Sequence, residues 1–456
     1  MSDPAKTPKH IAVIDVGKTN AKLALVDGET LSEIAVVTRP NAVIRKAPYP
    51  HFDLDGHWAF FLENLAAFHS SHGVDAISIT THGAALVLVD DRGNLATPML
   101  DYEHDGPDGC SEEYGALRPE FSLTGSPRLP GGLNAGAQLH WLFEQDPSLL
   151  DRTAHVITYP QYWAYRLTGE LACDVTSLGC HTDLWNPWTG SPSGLVETLG
   201  LSDKLAPALP SSQVLGTLTP DVVQETGLRS RTPVVCGIHD SNASLVPYLQ
   251  SKERRFSVVS TGTWVVVMAV NGAKVDLDPA RDTLVNVNAL GAPVPSARFM
   301  GGREYELIRN GSTAEPTAQD RQAVLQNGIM LLPAVEPNSG PFPGRVSGWS
   351  SAPETDGQRI YALSLYLALM TDSCLGLIGA QGPTLVEGSF ARNLDFLDML
   401  AVLRPEGAGA ARSKTGTSIG AAMLVSASMV APVEMHSKPE TVRQLERYAE
   451  NWRACL

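Results

Sequence analysis

An α/β fold in two lobes is predicted for this chain by three observations. Its 456 residues exceed what one hydrophobic core usually supports, one type of hairpin opens each half, and strand-like and helix-like apolar patterns alternate throughout. The composition agrees: 43% hydrophobic and 18% charged residues are ordinary for a globular chain, and the 40 Gly and 32 Pro are dispersed as turns would disperse them.

The first element is a hairpin. In Ile11-Ala-Val-Ile-Asp15-Val-Gly17-Lys18-Thr19-Asn20-Ala-Lys22-Leu-Ala-Leu-Val-Asp27, two apolar strands flank a Gly/Thr/Asn turn. Helix-period apolar positions follow over Trp58 to Ser70, then strands over Asp75 to His82 and Ala84 to Asp90, with Asp91-Arg-Gly-Asn94 as a turn. Ala137 to Phe143 and Tyr159 to Leu167 read as helices, the second ended by Thr168-Gly169. The second hairpin, Phe256 to Val270, repeats the first plan around Ser260-Thr261-Gly262-Thr263, about 245 residues further on. Gln358 to Ile378 reads as a long helix and Thr384 to Gly388 as a strand entering a Gly turn. The repeat puts the boundary near 245 to 255, giving lobes of 1–248 and 249–456.

Several function classes are disfavoured. A net charge of −15 with no Lys/Arg run argues against nucleic acid as a partner. The longest apolar stretches, Ser257 to Val270 and Ile419 to Pro432, are shorter than the ~20 residues that cross a bilayer, so no membrane span is expected. The apolar run before Asp15 is too short for a secretory signal, and a cytoplasmic location is the expectation; a homodimer is compatible with the composition. The six cysteines (Cys110, Cys173, Cys180, Cys236, Cys374 and Cys455) show no zinc-like spacing and read as free thiols. His69 and His72, one helical turn apart without an acidic or thiol partner, read as surface histidines. Gly416-Thr-Ser418-Ile-Gly420 fits a nucleophile-elbow pattern, but the preceding segment is a poor strand; it reads as a Gly-rich helix entry.

Four segments carry candidate chemistry. The first turn offers backbone N–H groups at Gly17 to Asn20 and an ammonium at Lys18, a set suited to phosphate oxygens, while Asp15 at the strand end is placed to hold a hydrated Mg²⁺. It is not a Walker A loop, because Ala12 stands where that pattern needs glycine. Gly262 and Thr263 offer similar donors in the second half. Thr232 to Leu245 reads as strand, Gly237 turn and helix, with Asp240 at the helix start. There a carboxylate serves equally well as a general base at a sheet crevice or as an N-cap, and the local sequence leaves both open. Glu387-Gly388-Ser389-Phe390-Ala-Arg-Asn393 is a small-residue turn that would let a flat ring lie against the backbone.

Taken in order, the first hairpin, His82-Gly83, Arg166-Leu-Thr-Gly-Glu170, Asp240, Ser260-Thr-Gly-Thr263 and Glu387 to Asn393 resemble the FGGY carbohydrate kinases, from about residue 11 to 425. The resemblance implies two ribonuclease-H-like (actin/hexokinase-like) lobes with a central cleft, sugar bound mainly by the first lobe, and ATP with Mg²⁺ between the lobes. It implies Asp240 as catalytic base and metal neighbour, Asp15 as the metal-associated aspartate, and Gly17, Lys18, Thr19, Asn20, Gly262 and Thr263 as phosphate loops. Gly388, Ser389 and Asn393 fall in the adenosine region, and His82, Gly83, Ala84, Asp101, His104, Asp105 and His239 in the sugar-binding region. Two departures stand out: Gly388 is a lone glycine where the family usually has consecutive ones, and Lys18 replaces a small hydroxyl residue.

His239-Asp240-Ser and Ser260-Thr-Gly-Thr-Trp264 look closer to rhamnulokinases and fuculokinases than to glycerol kinases. The expected substrate is therefore a 6-deoxy-ketose, L-rhamnulose first and L-fuculose second, with xylulose, tetrulose or polyol as alternatives. A catalytically silent sugar or nucleotide sensor is the rival of another class. Trp264 is expected to pack in a core.

Overall fold

A computed structural model of the chain describes residues 8–249, 254–411, 416–426 and 434–456. The chain divides into two compact units. One comprises Met1–Lys252, Val285–Pro293 and Lys414–Val430; the other comprises Glu253–Leu284, Val294–Ser413 and Ala431–Leu456. Two later stretches thus belong to the first unit, and no single cut describes the division.

The first unit is built on strands β1 (His10–Val16), β2 (Asn20–Asp27), β3 (Glu33–Pro40), β4 (Ala76–Thr81), β5 (Val214–Thr217), β6 (Pro233–Val235) and β7 (Ile238–His239). Their order is β5-β6-β4-β1-β2-β3, with β7 also pairing β4. β1, β2 and β3 form an antiparallel meander. β4 runs parallel to β1, and β6 and β7 run parallel to β4. β1 is apolar without alternation because both faces are covered. Ala12, Ile14 and Val16 join the cluster of Phe61 and Leu65 from helix Leu54–His72, while Ile11 and Val13 pack with Ile419, Ala421 and Ala422 of helix Thr417–Ala422. Helix Leu54–His72 begins before the expected Trp58 because Asp53 caps it, accepting from the Gly56 N–H. The strand expected over Ala84 to Asp90 is shorter, Leu86–Val89, and pairs with His155–Thr158 outside the main sheet. Ala84 itself has φ +53°.

Parallel pairing fixes what lies at the sheet's carboxyl edge. Val16 is opposite Thr81, and Thr81 is opposite His239, so the residues after β1, β4 and β7 emerge side by side.

The second unit repeats this plan with β8 (Phe256–Thr261), β9 (Val265–Val270), β10 (Pro293–Phe299), β11 (Thr384–Gly388), β12 (Ala408–Ala410) and β13 (Glu434–Met435), in the order β10-β9-β8-β11-β12-β13. β8, β9 and β10 are antiparallel neighbours; β11 is parallel to β8, and β12 to β11. Helix Asp356–Leu377 lies close to the expected Gln358–Ile378 and is buried along most of its length. Among the described residues it is the one helix long and apolar enough to cross a membrane. It is longer than the apolar stretches Ser257 to Val270 and Ile419 to Pro432, and its Leu363, Tyr366, Leu367 and Met370 fill the core with Phe396, Tyr448 and Trp452. Among the described residues the six cysteines form no disulfide, and four of them are buried.

Candidate functional site

The first unit gathers its chemistry where β1, β4 and β7 end. Asp15, 7% exposed, stands opposite Lys22 across the hairpin. Its Oδ2 takes the Lys22 ammonium at 3.1 Å and accepts from the hydroxyls of Thr417 at 2.6 Å and Ser418 at 2.9 Å. None of these three partners was singled out from the sequence. Lys22 was visible as a polar residue in an apolar strand. Ser418 appeared only in a pattern dismissed for hydrolase chemistry, and its reading as a Gly-rich helix entry fits the helix Thr417–Ala422 that Gly416 precedes.

The turn differs from the expected phosphate cradle in two respects. The Gly17 N–H is spent on the Asn20 carbonyl at 2.9 Å, closing the hairpin. Lys18 turns toward the loop after residue 100: its ammonium binds the Asp101 carboxylate, lies 3.1 Å from Glu103 Oε2, and stands 4.4 Å from the Tyr102 ring centroid. Charge and quadrupole together hold it there, so its side chain lies with the candidate sugar residues. Thr19 and Asn20 remain exposed at the turn.

The candidate sugar residues divide. His82 is buried against Phe52, Tyr102 and Tyr159, with ring centroids 5.1 to 5.3 Å away. Burial holds its ring down to about 4, hence neutral. Its Nδ1–H donates to the Gly83 carbonyl at 2.8 Å, which leaves Nε2 a buried acceptor without a protein partner. Asp101 is buried on Lys18, whereas the Asp105 carboxylate is 92% exposed and the His104 ring packs on Trp141 at 5.2 Å. Gly83 makes room for another member of the set: a Cβ there would approach His239 Nε2 to 2.7 Å.

Asp240 follows β7 as the first residue of the short helix Asp240–Ala243, whose N-cap is His239. Its side chain is 26% exposed, and Oδ1 accepts from the Ser241 N–H at 2.6 Å. Burial pushes its carboxyl up to about 6; His82 opposes that rise and Asp15 adds to it.

In the second unit, Thr261 is opposite Gly388, which brings Gly262 and Thr263 beside Ser389. These residues and Asn393 line a cleft of about 630 Å³, with Arg303, Tyr305 and Arg309 of helix Gly301–Arg309 as further walls. The rings of Tyr305 and Phe390 lie 5.9 Å apart, and the Arg309 guanidinium stands 5.8 Å from Tyr305. Gly388 does not line the cleft. At φ +81°, a Cβ there would meet the Thr261 carbonyl oxygen at 2.0 Å, so its role is to let two strand ends pass. The Asn393 side chain is committed to the Phe396 N–H at 3.1 Å and the Ser364 hydroxyl at 3.0 Å, capping the next helix. Trp264, expected in a core, is half-buried with Arg298 at 4.7 Å from its ring.

Comparison with known proteins assigns both halves. Residues 10–247 match the N-terminal domain of the FGGY family of carbohydrate kinases, and residues 253–433 match the carbohydrate kinase FGGY C-terminal domain. The chain belongs to this family. A crystal structure of a carbohydrate kinase from Novosphingobium aromaticivorans is 36% identical, superposes with a TM-score of 0.90, and covers 97% of this chain and 99% of its own. L-Fuculokinase of Escherichia coli (strain K12) is 26% identical over 280 residues, 58% of this chain and 57% of that protein. Rhamnulokinase of Klebsiella pneumoniae (strain 342) is 26% identical over 278 residues, 56% of this chain and 53% of that one. The chain thus spans a little over half the length of these curated relatives. The ribonuclease-H-like plan of an FGGY protein accounts for the strand order shared by the two units.

Proposed function

We propose that the chain transfers the γ-phosphoryl group of ATP to a hydroxyl of a small ketose, with Asp240 as the general base. The observation that carries this reading is Asp240 itself: a carboxylate at a sheet's carboxyl edge, held near 6 by burial, beside the unpartnered Nε2 of His82. At neutral pH such a group is mostly ionised yet basic enough to take a proton. The sugar O–H donates to the carboxylate, the oxygen attacks the γ-phosphorus as its proton leaves, and the bond to the bridging oxygen breaks to release ADP. The neutral His82 accepts a second sugar hydroxyl. The cleft beside Tyr305 and Phe390 is read as the site of the adenine ring, with Gly262 and Thr263 toward the phosphates.

Among the described residues no group of three or more acidic, His or Cys side chains could cage a metal. A magnesium ion carried on nucleotide phosphates and met by one or two carboxylates suits Asp15 and Asp240, since that ion keeps most of its waters; it would neutralise phosphate charge. Thr417, Ser418 and Lys22 hold the Asp15 carboxylate through its Oδ2.

L-Rhamnulose is the first substrate choice and L-fuculose the second, supported by the H-D-S sequence at 239–241 and by the two named relatives. The test is ADP release with ATP and Mg²⁺ over L-rhamnulose, L-fuculose, D- and L-xylulose, D- and L-ribulose, erythrulose and glycerol. One ketose should stimulate turnover, and Asp240→Asn should lower kcat by about 10³-fold. Nucleotide binding without sugar-stimulated ADP release would instead favour a sensor.

A further inference from the structure

Lys18 carries its side chain away from the first turn, but its backbone stays there. The Gly17 N–H donates to the Asn20 carbonyl at 2.9 Å, and no return bond runs from the Asn20 N–H to the Gly17 carbonyl. That carbonyl belongs to a residue just past β3: Asn41 Nδ2 donates to it at 2.9 Å. The Asn41 N–H donates to the Thr19 carbonyl, also at 2.9 Å. One residue, itself 5% exposed, thus holds two carbonyls of the turn.

Behind Asn41 stands a hydrogen-bonded chain whose direction is fixed at both ends. Arg39 Nη1 bonds His57 Nδ1 at 3.0 Å, and a guanidinium can only donate, so Nδ1 accepts and the proton of this buried ring rides on Nε2. Burial and the Arg39 charge hold the ring down to about 4, hence neutral. Nε2 bonds Asn41 Oδ1 at 2.8 Å, which leaves Nδ2 for the Gly17 carbonyl, a group that can only accept. The amide has one orientation. Arg39 is anchored in turn on Asp53, the cap of helix Leu54–His72, and Gly56 leaves it room, since a Cβ there would meet Arg39 Nη2 at 2.4 Å.

A trans peptide sets its N–H opposite to its C=O. With the Gly17 and Thr19 carbonyls both drawn to Asn41, the N–H groups of Lys18 and Asn20 point away from it. The Lys18 N–H makes no hydrogen bond among the described residues. We propose that Asn41 is a positioning residue for the nucleotide: by holding those two carbonyls it presents the Lys18 and Asn20 N–H groups to a phosphate oxygen, with His57 and Arg39 fixing its amide. The inference rests on the proposed function, which sets the nucleotide phosphates and their magnesium beside Asp15.

Two measurements decide it. Asn41→Asp keeps the size of the side chain and an acceptor for His57 but, ionised at pH 8, has no N–H for the Gly17 carbonyl; Asn41→Ala serves in its place where that variant does not fold. By calorimetry without sugar, the Kd for ATP with Mg²⁺ should rise at least tenfold, while the Kd for adenosine, which has no phosphates, stays within twofold of wild type. An unaltered ATP affinity, or an equal loss for adenosine, overturns the proposal alone. Wild-type protein that binds no ATP overturns the nucleotide reading beneath it as well. The ¹⁵N spectrum of histidine-labelled wild type, with the His57 signals assigned by their loss in His57→Gln, should show a neutral ring protonated at Nε2. A ring protonated at Nδ1 would break the chain to Asn41 and overturn the proposal.

Discussion

Lys18 shows how far a side chain's direction can depart from what its neighbours suggest. A lysine after Gly17 in a turn reads as a phosphate ligand, yet its ammonium lies between Asp101 and Glu103 and above the Tyr102 ring. The Asp101 side chain is only 3% exposed, so removing the cation strands a buried carboxylate. Lys18→Met should cost about 2 kcal/mol in urea unfolding. It should also raise the sugar KM at least fivefold while the ATP KM changes less than twofold. A selective rise in ATP KM would return Lys18 to the phosphate site. The placement of Asp240 at a helix start was legible because strand, glycine turn and helix start are all local in sequence. The partners of Asp15 were not, since Thr417 and Ser418 are separated from it by 402 and 403 residues and nothing in periodicity couples them.

At the level of elements, the two hairpins and the helix Asp356–Leu377 were readable from apolar pattern and Gly/Thr turns alone. What escaped was the wall of the second cleft. Helix Gly301–Arg309 carries no phosphate-loop pattern, and its place depends on one close approach: a Cβ at Gly302 would meet the Gly262 carbonyl oxygen at 2.0 Å. The Gly302 N–H also donates to the Thr263 carbonyl at 3.2 Å. Gly302→Ala must push the hairpin turn and the helix apart. We expect the ATP KM to rise at least tenfold, with sugar affinity measured by calorimetry unchanged. An unaltered ATP KM would dissociate this cleft from the nucleotide.

At the scale of the whole molecule, stability should depend on pH through Glu304. This carboxyl is fully buried, accepting from the Tyr366 hydroxyl at 3.0 Å and the Glu336 N–H at 3.1 Å. Burial pushes it up to about 7 against those two hydrogen bonds. The native state then holds this proton more tightly than the unfolded chain. The contribution is complete below the ordinary glutamate value and is lost as pH rises through about 7. Denaturant titrations should show wild type losing up to about 3 kcal/mol between pH 5 and pH 8 that Glu304→Gln does not lose. Parallel pH profiles for the two proteins would refute the assignment.

The return of helix Thr417–Ala422 to the first unit bears on how the protein is made. Asp15 leaves the ribosome early, but the hydroxyls that bind its Oδ2 are translated some 400 residues later. Until then Ile11, Val13, Ala24 and Val26 lack the partners Ile419, Ala421 and Ala422, and one face of the first sheet stays uncovered. A nascent chain halted after its first half would therefore carry a sticky, unfinished sheet, a natural client for chaperones.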